Sequence, residues 1–221
     1  MSASGTVAAG HRVTAEAGAE VLRAGGSAVD AAVAAIAAAC VAEPVLCAPG
    51  GGGFAMLRDA VSGDVRVVDF FAQTPRARRQ PAGAGEREIV ADFGTATQSF
   101  HIGPATAAMP GFFAGIAVMR ELAGRLPLGD LFEPAIRAAR DGVIVTPFQH
   151  YLATVVVPIL TATPEAAALL APGGVPHAAG SRFRNPGLAA AFEAVAAEGF
   201  AGGAVEAAMI AAQADAGHLT A

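Results

Sequence analysis

The chain has 221 residues, 54% of them hydrophobic and 15% charged, with a formal net charge of −5. This is enough apolar material for one packed domain, and it excludes a disordered chain. The acidic balance, with no long Lys/Arg run, excludes a protein that grips phosphates through clustered basic side chains. Alanine and glycine dominate the apolar share and tryptophan is absent. Small side chains of this kind let helices approach closely.

The apolar run from Ala31 to Ala42 is shorter than the roughly 20 residues that span a bilayer, and Asp30 borders it. It reads as a buried helix. The start, Met1 to Thr6, has neither a charged n-region nor an apolar h-region, so no signal peptide is expected. Two cysteines, Cys40 and Cys47, do not make a disulfide framework, and a reducing, cytoplasmic setting is expected.

In chain order, Gly5 to Gly10 reads as a short strand. A helix follows over about Arg12–Ala24, with Arg12, Glu16, Glu20 and Arg23 on one face and Val13, Ala17, Val21 and Ala24 on another. Gly25 and Gly26 end it. Ser27, with Asp30 three residues on, caps a second helix that has almost no polar face and stops at Glu43-Pro44. After the glycines at 50–53 comes a hairpin: Phe54–Asp59, a Ser62-Gly63 turn and Val65–Phe71. Thr74–Gln98, rich in Pro, Gly and Arg, reads as loop.

The second half reads as mainly helical. Pro110-Gly111 opens a helix that ends near Gly124, and another covers about Gly129–Arg140. Thr163-Pro164-Glu165 and Asn185-Pro186 are cap-plus-proline starts, the latter ahead of Leu188–Glu198. A last helix covers about Ala204–Ala216. No repeat and no domain boundary is visible. The chain reads as one α+β domain, helical in its second half.

Candidate chemistry is sparse. The glycines Gly50, Gly51, Gly52 and Gly53 run into a strand and not into the Lys-Ser/Thr helix of a phosphate loop. They read as structural, serving close backbone approach or positive φ. His11, His101, His150, His177 and His218 are scattered without metal-ligand spacing, so no metal is expected. There is no G-x-S-x-G elbow. Ser2 becomes a terminal nucleophile only if Met1 is removed. Arg76, Arg78 and Arg79 form a small cluster, read as a solvated loop or as a carboxylate holder.

The linear order of motifs adds a family. HRVTAEAGAEVLRAGGSAVDAAVAA at 11–35, GGGGF at 50–54 and DFFAQTP at 69–75 resemble the N-terminal part of the large subunit of gamma-glutamyltranspeptidase. So do MPGFFAG at 109–115, the segment at 126–147, RNPGLAAAFEAVAAEG at 184–199 and GHLTA at 217–221. The resemblance implies an N-terminal-nucleophile hydrolase with a four-layer αββα fold. It implies a precursor that cuts itself into two subunits, and no cofactor. The nucleophile is then a threonine at the start of the small subunit, which is this chain's expected partner. It attacks an amide to form an acyl-enzyme that passes to water or an amine. On this reading residues 1–221 are an incomplete large-subunit part that carries no catalytic residue, and its bare strand edges are completed by the small subunit.

One departure bears on specificity. The family's segment matching DFFAQTP reads approximately D-F-R-E-x-A-P, and its arginine binds the α-carboxylate of the glutamyl group. Phe71 stands at that position and Ala72 at the following Glu. The resemblance therefore places the substrate wall at Phe71, Ala72, Gln73, Thr74 and Arg76, with glutamyl recognition weakened. Alternatives within the family are an acylase for another side chain or a biosynthetic C–C or C–N hydrolase. Outside it stands a noncatalytic remnant.

Overall fold

The computed structural model describes residues 5–76, 85–214 and 217–219. Its first helix, α1 (Arg12–Arg23), is capped by His11, whose Nδ1 accepts the Val13 N–H at 3.1 Å. Thr14, Ala17, Gly18 and Val21 form its buried stripe, while Ala24 lies outside the helix and is exposed. Arg12 and Glu16 pair at 3.4 Å on the solvent side, and Glu20 reaches Arg137 at 2.6 Å.

The segment expected as a strand at Gly5–Gly10 is not one. It lies along α1 instead, with Gly5 against Leu22 and Val7 against Gly18. Packing on a helix gives its backbone no strand to pair with.

Helix α2 (Ala28–Ala42) has the expected capping box. Ser27 Oγ accepts the Asp30 N–H at 3.0 Å, and the Asp30 carboxylate accepts the Ser27 N–H at 2.8 Å. With no polar face, α2 is buried along most of its length between α1 and α4 (Leu128–Asp141). Gly18 is what lets α1 approach, since a Cβ there would meet the Ala31 carbonyl oxygen at 3.0 Å. Among the described residues no helix is long and apolar enough to cross a membrane.

Strands β1 (Phe54–Arg58) and β2 (Val65–Asp69) form the expected hairpin, with Phe54 opposite Asp69 and Arg58 opposite Val65. Asp59 Oδ1 accepts the N–H groups of Val61 and Ser62 in the turn, and Gly63 takes φ +78°. The ladder runs one pair further than the strands, because Gly53 and Phe70 exchange hydrogen bonds at 3.2 and 3.0 Å.

The stretch expected as loop, Thr74–Gln98, holds most of a second antiparallel hairpin, β3 (Arg87–Asp92) with β4 (Thr97–Ile102), whose last strand runs past Gln98. Ile89 and Ala91 alternate inward on β3, and Gly94 turns the chain at φ +83°. The Pro/Gly/Arg bias of the neighbouring residues masks this short alternation.

The helical second half is as expected. It comprises α3 (Phe112–Ala123), α4, α5 (Pro147–Val155), α6 (Val157–Leu160), α7 (Pro164–Leu170), α8 (Pro186–Glu198) and α9 (Ala204–Ala211). The two-residue strands β5 (Val143–Ile144) and β6 (Arg182–Phe183) pair antiparallel. Thr146, Thr163 and Asn185 each cap a helix with proline at its first position. The last helix ends at Ala211, ahead of the expected Ala216. Phe112, Phe113, Phe132 and Phe192 fill the centre of the core, with Phe113 edge-on to both Phe132 and Phe192.

Candidate functional site

Three segments that are distant in sequence meet at the end of the β1–β2 hairpin. They are the glycine run at 50–53, the residues following β2, and the chain entering α3. Phe70 is the anchor. Its ring is buried against Gly115 of α3 and Gly53, and its carbonyl lies against Gly52 and Gly111. A Cβ at Gly52, Gly111 or Gly115 would overlap Phe70 outright. The structural reading of the glycine run is therefore specific to close approach. None of Gly50 to Gly53 has positive φ, which removes the other half of that expectation.

Two of the run's four N–H groups are committed to backbone carbonyls. The Gly51 N–H goes to Ala48 O and the Gly53 N–H to Phe70 O. The Gly51 carbonyl accepts the N–H groups of Gly111 and Phe112 at 3.0 and 3.1 Å, satisfying donors at the start of α3.

Strand alternation turns Phe71 the opposite way from Phe70. Phe70 is 7% exposed and Phe71 54%. The Phe71 N–H donates to Asp69 Oδ1 at 3.0 Å, and Gln73 Nε2 donates to the Phe71 carbonyl at 3.2 Å. Gln73 then pairs with Met109 through backbone bonds of 3.0 and 2.7 Å, tying this turn to the approach to α3.

Of the expected wall, Phe71, Ala72, Gln73 and Thr74 are contiguous at this point. Phe71, Gln73 and Thr74 are exposed and Ala72 is half-buried. Arg76 is exposed and in no ion pair with a described residue. Arg78, Arg79 and Ser2 lie outside the described residues.

Two residues that sequence reading did not single out join the site. Phe54 stacks on Phe71, with ring centroids 5.5 Å apart and planes 16° apart, and Met109 is bridged to Gln73. The available signal for Phe54 was its position. As the first residue of β1 it sits opposite Asp69, which makes Phe71 its diagonal neighbour on the same face. Arg58 is the basic residue of β1 on that face, four residues on, or roughly 13 Å along the strand.

The side chains of three of the five histidines have partners of their own. His11 caps α1, His150 Nδ1 meets His177 O at 2.9 Å, and His177 Nε2 meets Leu169 O at 2.8 Å. Among the described residues no three of His, Cys, Asp and Glu gather as a metal-ligating group.

The family model for gamma-glutamyltranspeptidase matches residues 14–220. The chain belongs to the gamma-glutamyltranspeptidase family. Acylase ACY 1 proenzyme of Pseudomonas sp. (strain SE83) is 35% identical over 196 residues, covering 88% of this chain and 35% of the relative. Glutathione hydrolase 3 of Arabidopsis thaliana is 31% identical over 198 residues, covering 90% of this chain and 30% of the relative. The chain thus spans about a third of the length of these two relatives. Among solved structures, the gamma-glutamyltranspeptidase of Helicobacter pylori superposes with a TM-score of 0.81 at 25% identity, over 98% of this chain and 62% of that one. The family's curated members include glutathione hydrolases and acylase proenzymes.

Proposed function

We propose that residues 1–221 form a single, incomplete domain, the front of the large subunit of an amide-cleaving acyl-transfer enzyme. It contributes one sheet hairpin and a helical cover to a four-layer αββα sandwich. The reacting threonine belongs to the small subunit. Its amine takes the proton of its own hydroxyl, the oxygen attacks the amide carbonyl, and the amine leaves with a proton. The acyl-enzyme then passes its acyl group to water or to another amine.

The role of this chain is to bind and orient the acyl group. Phe71 carries that reading. It stands exposed at the end of β2, at the position where the family's D-F-R-E-x-A-P segment holds its carboxylate-binding arginine. A charge-assisted Arg–carboxylate contact is worth roughly 1.5–3 kcal/mol, or about 10- to 150-fold in affinity. An aromatic ring forfeits it and favours an uncharged acyl group. An acylase proenzyme 35% identical to the chain stands beside glutathione hydrolases among its relatives, so an acylase has precedent in this family.

Intact mass and N-terminal sequencing of the native protein test the subunit scheme. A second chain beginning with Thr, accompanied by amidase activity, supports it. A single unprocessed species without activity means a noncatalytic remnant.

A further inference from the structure

We propose that Phe54 and Phe71 together form a subsite for a planar, uncharged aryl acyl group, with Phe54 as a second specificity-determining residue. The proposal rests on the amidase reading above and names the substrate class of that same site.

Both rings are large, apolar and left open, Phe54 at 64% and Phe71 at 54% exposure. They stack nearly parallel, at 16°, so a third ring can continue the stack on an outer face by offset stacking. The platform is preorganised. Phe54 is held in the ladder opposite Asp69, and Phe71 is fixed at both backbone ends by Asp69 and Gln73.

The charge around the platform points the same way. Asp69 lies on this face beside Phe54, and one of its carboxylate oxygens is occupied by the Phe71 N–H. The basic residue of β1 on this face, Arg58, stands roughly 13 Å away along the strand. An acyl group carrying a carboxylate would meet a like charge at Asp69, with the cation of this hairpin face, Arg58, too far along the strand to compensate it. An aryl group meets the outer face of the ring stack.

The test uses the complete processed enzyme with phenylacetyl and cyclohexylacetyl p-nitroanilides, which are close in size and differ in planarity. The wild type should prefer the phenylacetyl compound. Phe54→Leu keeps apolar bulk and loses the ring, so the phenylacetyl preference should fall by roughly 3- to 10-fold, mainly through KM. Phe71→Leu should lower it in parallel. Equal losses on both anilides, or none, would overturn the proposal.

Ligand-observed NMR of phenylacetamide binding decides the matter independently of turnover. If no anilide is cleaved, the amidase reading fails, yet the subsite stands if wild type binds phenylacetamide roughly 3- to 10-fold more tightly than Phe54→Leu. Equal binding by the two proteins overturns the subsite.

Discussion

The buried carboxylate of Asp30 accepts the backbone N–H of Arg125 at 3.0 Å, and so ties the first turn of α2 to the α3–α4 connection. The same side chain accepts the Ser27 N–H at 2.8 Å. Two elements 95 residues apart in sequence are thereby fixed to one carboxylate. Asp30→Ala removes half the capping box and leaves the Arg125 N–H without its acceptor. The expected cost is about 2–4 kcal/mol, read as a lowered midpoint in chemical denaturation. A loss below about 0.5 kcal/mol would show that water replaces the contact.

The glycines around Phe70 give a graded series. Gly115→Ala places a methyl into the near end of the Phe70 ring, which cannot swing away as a flexible tip would. Gly50 has open space at its Cβ position and no positive φ. Gly115→Ala should cost about 1–3 kcal/mol and Gly50→Ala close to nothing, both measured by thermal melting. Comparable losses at the two positions would mean that close approach to Phe70 is not what selects glycine at 115.

Most of the scaffold was legible because its signals are local. Ser27 with Asp30 announced a helix start, Asn185-Pro186 announced another, and Ser62-Gly63 announced a turn. The same logic failed where partners are distant. Val7 has strand-like neighbours but finds α1 instead of a second strand. Ile89 and Ala91 alternate over too short a span to stand out beside a Pro/Gly/Arg-rich stretch. In the site, Phe71 was visible as a departure from a motif. Phe54 was not, because its role depends on the register that sets it diagonal to Phe71.

The two thiols are neighbours, with Sγ atoms 3.4 Å apart and both within reach of the Ile36 carbonyl. The hydrogen bond between them raises the Cys40 pKa, with burial adding to the effect. That bond lowers the Cys47 pKa, against the opposing effects of burial and the Glu43 charge. Cys47 therefore carries the larger thiolate fraction at a given pH, and it is also the less buried of the two. Iodoacetamide followed by peptide mass mapping should label Cys47 first. Cys40→Ala removes the stabilising hydrogen bond, so the pH at which Cys47 becomes reactive should move upward. An unchanged or lowered reactive pH would contradict the pairing.

Restoring the family's charge at position 71 is the sharpest gain-of-function change. Phe71→Arg in the complete enzyme should raise kcat/KM on a γ-glutamyl anilide by about 10- to 150-fold relative to neutral acyl anilides. A variant that remains folded with an unchanged ratio would place the carboxylate ligand elsewhere. Arg76→Ala then asks whether Arg76 already supplies it, by a selective loss of γ-glutamyl activity.

The central claim is that this member of the gamma-glutamyltranspeptidase family holds an uncharged acyl group against Phe71. It is tested most directly by the ratio of kcat/KM for a γ-glutamyl anilide to that for a neutral acyl anilide, measured on the complete wild-type enzyme. A ratio below one is expected. A strong preference for the γ-glutamyl anilide would contradict it.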